Sequence, residues 1–188
     1  FTVDETQLGN YDGKFLKIQR KTRATLMDII DDKSVGILEE DPERAIVKIA
    51  KPMGVIGALS PSTNPAATPV IKSLHAIKGR NSIIVAPHPR AKLTNKKICD
   101  LMREAIVKCG APADLVQAIE IPSLELTNEL MAQCDRVLAT GGGAMVNAAY
   151  SSGTPALGVG VGNAVITVDE TADLDDASEK IRISKTLD

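Results

Sequence analysis

Residues 51–92, KPMGVIGALSPSTNPAATPVIKSLHAIKGRNSIIVAPHPRAK, decide the fold. Met53 to Leu59 is a short apolar run, opened by Lys51-Pro52 and closed by Ser60-Pro61, as expected of a buried parallel strand. The loop Ser62-Thr63-Asn64-Pro65 follows. Beyond it Val70, Leu74 and Ile77 recur at helical spacing, which predicts a helix with Lys72, His75 and Lys78 on its solvated side. Gly79 is expected to take the left-handed position that ends it. Ser82 to Ala86 is a second apolar, β-branched strand, stopped by Pro87. A βαβ unit of this kind brings the loop of Asn64 and the loop of His88 to the carboxyl ends of neighbouring strands. Open α/β sheets bind their ligands at that edge.

The rest of the chain is compatible with such a domain. It has 188 residues, 44% hydrophobic and 24% charged, with a formal net charge of -2. That length suffices for a real core. The near balance of charge argues against a nucleic-acid footprint, which needs a basic stripe. No apolar run in these residues is long enough to span a bilayer, and a secretory signal peptide is not expected. Only 2% is aromatic, so the core is aliphatic, and 14 glycines favour close packing of helices on a sheet. Cys99, Cys109 and Cys134 form no CxxC pair and no metal spacing. They read as small buried hydrophobes, reduced, in a cytoplasmic protein.

Before residue 51 lie a polar start, Phe1 to Thr22, and a helix expected near Thr22 to Ile30. Then Val35, Ile37, Ala45, Val47 and Ile49 alternate with polar neighbours across an Asp41-Pro42 turn, a hairpin signal. Such a pair cannot bury both faces by itself. It is either an arm that adds to another subunit's sheet or a local hairpin on its own domain. After residue 92, Thr94 or Asn95 is expected to cap a helix ended by Gly110 and Pro112. Further strands are expected at Leu115–Ile121, Arg136–Ala139, Ala156–Val159 and Ala164–Val168. Helices are expected after Ser123, over Ala144–Tyr150, and after Asp173. Strand and helix alternate throughout, which predicts a parallel sheet with right-handed crossovers. Two parts follow: residues 1–50, helix and hairpin, and residues 51–188, an α/β domain.

Three places can carry chemistry. Thr140-Gly141-Gly142-Gly143 opens a helix directly after a strand, so bare backbone and helix-terminal amides can approach a ring or a phosphate. The spacing is not GxGxxG, and a tight strand-to-helix turn explains it equally well. The amide of Asn64 can donate to an oxygen that gains negative charge, or it can cap the next helix. His88 and Arg90, on a loop stiffened by Pro87 and Pro89, can meet a phosphate together with Lys92, or can be solvated.

Four stretches together resemble the coenzyme-A-acylating branch of the aldehyde dehydrogenase superfamily: KPMGVIGALSPSTNPAATP, AIKGRNSIIVAPHPRAK, VLATGGGAMVNAAYSSGTPALGVGVGN and VDETADLDDASEKIRISKTLD. The resemblance runs in order from about Val35. It implies that residues 51–188 are an NAD(P)-binding domain, an α/β, Rossmann-like parallel sheet flanked by helices, with a β-hairpin oligomerisation arm over Val35–Ala50. It implies that Asn64 is the oxyanion-hole asparagine. Ser60, Pro61 and Ser62 would border the nicotinamide. Ala86, Pro87, His88 and Arg90 would lie along the adenosine. Thr140, Gly141, Gly142, Gly143 and Met145 would hold the pyrophosphate and the ring. The implied cofactor is NAD or NADP, with coenzyme A as co-substrate, a small aldehyde as substrate, a homo-oligomer as the assembly and no metal.

Departures from the family pattern carry information. Gly158 stands where hydrolytic relatives carry a glutamate general base, so water is poorly activated and a thiol acceptor is favoured. Ala86 and Pro89 stand where relatives carry the ribose-binding lysine and glutamate, which leaves NAD and NADP open, with His88 or Arg90 compatible with a 2′-phosphate. The family's nucleophilic cysteine follows the SKT-[FLY]-D stretch, and the sequence reaches Asp188 at that junction. These 188 residues are therefore expected to be an inactive fragment of the cofactor domain. A non-catalytic nucleotide-binding module and a hydrolytic dehydrogenase are the alternatives.

Overall fold

A computed structural model describes residues 1–186; Leu187 and Asp188, the end of the SKTLD stretch, lie outside the described residues. Five parallel strands form the central sheet: β3 (Val55–Ser60), β4 (Ser82–Pro87), β5 (Val116–Ala118), β6 (Arg136–Thr140) and β7 (Ala156–Val159). Their order is β5-β4-β3-β6-β7. The chain runs outward from β3 through β4 to β5, then returns and starts again on the other side at β6. The crevice between β3 and β6 is therefore the topological switch point, where an open α/β sheet leaves room for a ligand.

Alternation along the strands sorts the core into two layers. Ile56, Ala58, Ile83, Val85 and Val116 face one side, with Ala76 of α3 (Ala67–Lys78) and Cys99 of α4 (Lys92–Lys108). Leu59, Ala86, Val137 and Ala139 face the other, with Leu130 of α5 (Leu124–Gln133) and Val146 and Ala149 of α6 (Gly143–Tyr150). Strands covered on both faces read as unbroken apolar runs, which is why the central unit is so legible.

The helix α3 differs from expectation. Its buried positions are Ala67, Pro69, Ser73 and Ala76, while Val70, Leu74 and Ile77 are half-buried on its flanks. Small side chains let the helix axis come close to the sheet, and α2 (Tyr11–Ile29) packs along α3 from outside. Lys72, expected in solvent, instead reaches the sheet. Its amine donates to the Leu59 and Leu138 carbonyls at 2.7 and 2.6 Å. The helix end also differs: Gly79 has φ -81° and Arg80 takes the left-handed conformation at φ 60°. A Cβ at Gly79 would lie 2.7 Å from the Asn81 amide nitrogen, so glycine serves space there rather than backbone angle.

Other corrections follow from contacts that span long stretches of sequence. The polar start holds α1 (Thr2–Thr6) and most of α2, whose Asn10 side chain caps it by accepting from the Gly13 N–H. Neither Thr94 nor Asn95 caps α4. Glu5 does so from α1, its carboxylate accepting from the Leu93 and Thr94 N–H groups at 2.7 Å each. β5 is shorter than the expected Leu115–Ile121. No strand forms at Ala164–Val168, where one was expected. Ser123 and Asp173 cap α5 and α7 (Leu174–Thr186) as expected, accepting backbone N–H groups.

The hairpin forms as read: β1 (Gly36–Asp41) pairs antiparallel with β2 (Ile46–Ala50), with one irregularity in register near Leu38. Both of its faces are open. Ile37, Leu38, Ile46, Val47 and Ile49 are each 43–54% exposed. Among the described residues no helix is long and apolar enough to cross a membrane, and no cluster of three or more His, Cys, Asp or Glu side chains could hold a metal ion.

Candidate active site

A cavity of about 550 Å³ opens at the carboxyl edge of the sheet, over the β3–β6 switch point. One wall is the loop after β3, from Ser60 through Asn64, with His88 beside it. The other is Thr140, Gly141, Gly142 and Met145, where β6 passes into α6. Gly160, Val161 and Gly162 close the far side. The sheet thus brings together nine of the thirteen expected residues, from Ser60 on one wall to Met145 on the other. Thr63 and the 160–162 segment join without having been expected as cofactor contacts; their signal was only their place in the quoted stretches.

Four expected residues sit elsewhere. Ala86 and Pro87 are buried in the sheet below the rim. Gly143 begins α6 behind Gly142. The Arg90 guanidinium donates to the Thr6 carbonyl at 3.0 Å and is turned toward α1. None of these four borders the cavity. His88 does, and it is fixed in place: its N–H donates to the Ser60 carbonyl at 3.0 Å and its Nδ1 accepts from the Arg90 N–H at 3.1 Å.

Asn64 is available for chemistry. The N-cap of α3 is Ala66, with no side-chain cap, so the capping role does not use its amide. Its Nδ2 makes one long contact, 3.4 Å to Thr63 Oγ1, and its Oδ1 has no protein partner. The loop that carries it is braced from outside by Lys14 of α2, whose ammonium donates to the Thr63 carbonyl at 2.6 Å. Ser60 is 2% exposed and its hydroxyl also lacks a protein partner. Buried polar groups are almost always hydrogen-bonded, so an unpaired hydroxyl on a cavity wall marks a place for a ligand or water.

The glycine wall passes a second test. A Cβ at Gly142 would meet nothing within 4 Å, and Gly142 has an ordinary φ of -67°. Neither packing nor backbone angle demands glycine there. Its bareness therefore serves the approach of something outside the chain's own packing, beside the unpaired N–H groups at the start of α6. Gly158 is different. A Cβ there would lie 2.6 Å from Val146 and 2.9 Å from Tyr150, so that position faces α6 and has no room for a side chain. A flat cofactor with a pyrophosphate fits this wall: bare backbone for the ring, helix-terminal amides for the charge. The thiols do not border the cavity. Cys99 and Cys134 lie in the two core layers, where burial pushes the Cys99 thiol up to about 12 and raises that of Cys134.

Comparison with known proteins agrees with this geometry. A sulfoacetaldehyde dehydrogenase from an Acholeplasma species is 55% identical over 186 residues, which are 99% of this chain and 38% of that protein. The crystal structure of an acetylating aldehyde dehydrogenase from Geobacillus thermoglucosidasius superposes with a TM-score of 0.90 at 41% identity, covering 99% of this chain and 42% of that one. An engineered glycolyl-CoA reductase with bound NADP+ superposes with a TM-score of 0.78 at 33% identity, over 100% of this chain and 42% of that one. The chain thus spans about two fifths of the length of these three relatives. The model of the aldehyde dehydrogenase family matches residues 18–187. With that match covering most of its length, and with the parallel sheet and open crevice above, the chain belongs to the aldehyde dehydrogenase family.

Proposed function

We propose that this chain is the cofactor-binding part of a coenzyme-A-acylating aldehyde dehydrogenase, which oxidises an aldehyde reversibly to an acyl-CoA with NAD or NADP. The observation that supports it best is the single cavity bordered by Asn64, Ser60, Gly141 and Gly142 at the switch point. Thr140, Gly141, Gly142 and Met145 hold the pyrophosphate and the ring; Ser60, Pro61 and Ser62 border the nicotinamide; His88 stands on the adenosine side. A bound nicotinamide supplies the hydride acceptor.

The sulfur nucleophile is none of Cys99, Cys109 and Cys134, since none borders the cavity. It comes from the rest of the enzyme, and residues 1–188 by themselves do not turn over. Its thiolate adds to the aldehyde carbonyl, and the new oxyanion accepts a hydrogen bond from the Asn64 amide. Loss of hydride leaves an acyl group on that sulfur. No Asp or Glu of the described residues lines the cavity, so none of this chain's own carboxylates activates water there. The coenzyme A thiolate attacks instead: its carbon–sulfur bond forms, the enzyme's breaks, and the enzyme thiolate is returned.

The β1–β2 hairpin acts as an arm that joins copies of the enzyme, because its open apolar faces call for a partner. The test of the reaction is product analysis with the full-length enzyme, an aldehyde, coenzyme A and each cofactor. A thioester, formed only with coenzyme A present, is expected. Carboxylic acid formed without coenzyme A would identify a hydrolytic enzyme, and no reduced cofactor at all would identify a binding module.

A further inference from the structure

Lys72 is a buried amine directly under the proposed cofactor cavity, and nothing above gives it a role. It rises from α3 into the gap where β3 and β6 part. The ladder between those strands ends at the pair Leu59 and Ala139. There the amine holds the carbonyls of Leu59 and Leu138 at 2.7 and 2.6 Å. Ser60, one residue beyond Leu59, lines the cavity with its unpartnered hydroxyl, and strand alternation puts that side chain on the same face of the sheet as α3.

Among the described residues no counter-charge contacts Lys72. β3 and β4 carry no titratable side chain, and β6 carries only Arg136, at its far end. On α2, Lys14 is committed to the Thr63 carbonyl. On α3, His75 Nδ1 bonds the Ile71 carbonyl, and the Lys78 amine donates to that of Ile30. On α4, Cys99 is neutral, Lys96 is paired with Asp100 and Glu120, and Arg103 faces Asp114. Burial by itself lowers the Lys72 amine to about 7. The two carbonyls can be served in either protonation state, because a neutral amine has two N–H groups and an ammonium three. Proton uptake therefore adds a charge without breaking the clasp.

A charge that switches at the switch point, without structural change, acts on whatever charge sits above it. We infer that Lys72 senses the redox state of the cofactor: its ammonium form disfavours the cationic nicotinamide of the oxidised form and leaves the neutral reduced ring unaffected. The inference rests on the cofactor reading above. Binding of the oxidised cofactor expels a proton from Lys72, and acid shifts the enzyme toward the reduced form.

The test is calorimetry with the full-length enzyme in buffers of different ionisation heat, with NAD+ or NADP+ and with its reduced partner, from pH 5.5 to 8.5. A fraction of one proton is expected to leave on binding the oxidised form near pH 7, and none on binding the reduced form. The affinity ratio of oxidised to reduced should fall about 10-fold from the alkaline to the acid end. Lys72→Gln, which keeps a donor for one carbonyl, should abolish both effects. His75→Gln, a control on the exposed side of the same helix, should keep them. Equal proton counts for the two forms in the wild type would overturn the inference by themselves, even if Lys72→Gln does not fold. Effects that survive Lys72→Gln or vanish in His75→Gln would also overturn it. Binding of neither form at any pH would overturn the cofactor reading as well.

Discussion

The central sheet and the β1–β2 hairpin are built from similar residues and meet opposite fates. Ile83 on β4 is 0% exposed, covered on both sides by helices; Ile49 on β2 is 54% exposed, on a ribbon with no cover on either face. The same aliphatic side chain is core in one place and unspent surface in the other. The inner strands of the sheet are covered within the chain and can leave polar groups unpaired at their rim for a ligand, while Leu157 and Val159 on the edge strand β7 stay 57% and 65% exposed. The hairpin has no such cover, and its sequence makes sense as half of something larger.

Matched truncations sharpen that contrast most. Ile83→Ala should cost about 2–5 kcal/mol of stability in urea unfolding, whereas Ile49→Ala should stay within about 0.5 kcal/mol. In sedimentation of the full-length enzyme, Ile49→Ala should instead shift the population toward smaller species. Equal stability losses, or unchanged association, would break the distinction between core and arm. A smaller effect is expected where sheet and helix meet at their closest. Gly158→Ala places a methyl group 2.6 Å from Val146 and should cost about 1–3 kcal/mol in the same assay, with little change in the choice between thioester and acid. Acid production by a Gly158→Glu variant would show that this position can reach the cavity after all.

A further effect belongs to Lys72 and depends on pH. Its amine binds a proton near pH 7 in the folded state and near 10.5 in the unfolded chain. Between those values the unfolded state holds more protons, so stability should rise as pH climbs through that window. The slope is at most about 1.4 kcal/mol per pH unit. Lys72→Met should flatten this contribution, read as the change in the urea midpoint with pH. An unchanged slope would mean that the amine is not desolvated as described.

Legibility followed the same divide. Wherever a strand is covered on both faces, its apolar run named it, and the βαβ unit, the glycine turn and the loop of Asn64 fell into place from residues 51–92 and 137–163. What failed depended on partners distant in sequence. α2 is polar because only one strip of it meets α3, so hydrophobic periodicity ran out before its true start at Tyr11. The cap of α4 comes from Glu5, nearly ninety residues earlier. The face of α3 was misplaced because its closest contacts are small, and a lysine among Pro69, Ser73 and Ala76 reads as solvated until two backbone carbonyls are seen to receive it. That the loop residues and Gly141–Gly142 share one sheet edge was readable from pattern and resemblance. The turn of Arg90 toward Thr6 was not, since it needs α1, which the pattern did not reveal.

The proposed chemistry stands or falls on the amide of Asn64. In the full-length enzyme, Asn64→Ala should lower kcat for aldehyde oxidation by about 10²–10³-fold while the affinity for NADH, read by its fluorescence, changes less than about threefold. A kcat within a few-fold of wild type, with intact cofactor binding, would contradict the oxyanion role and with it the account of this cavity as an acyl-transfer site.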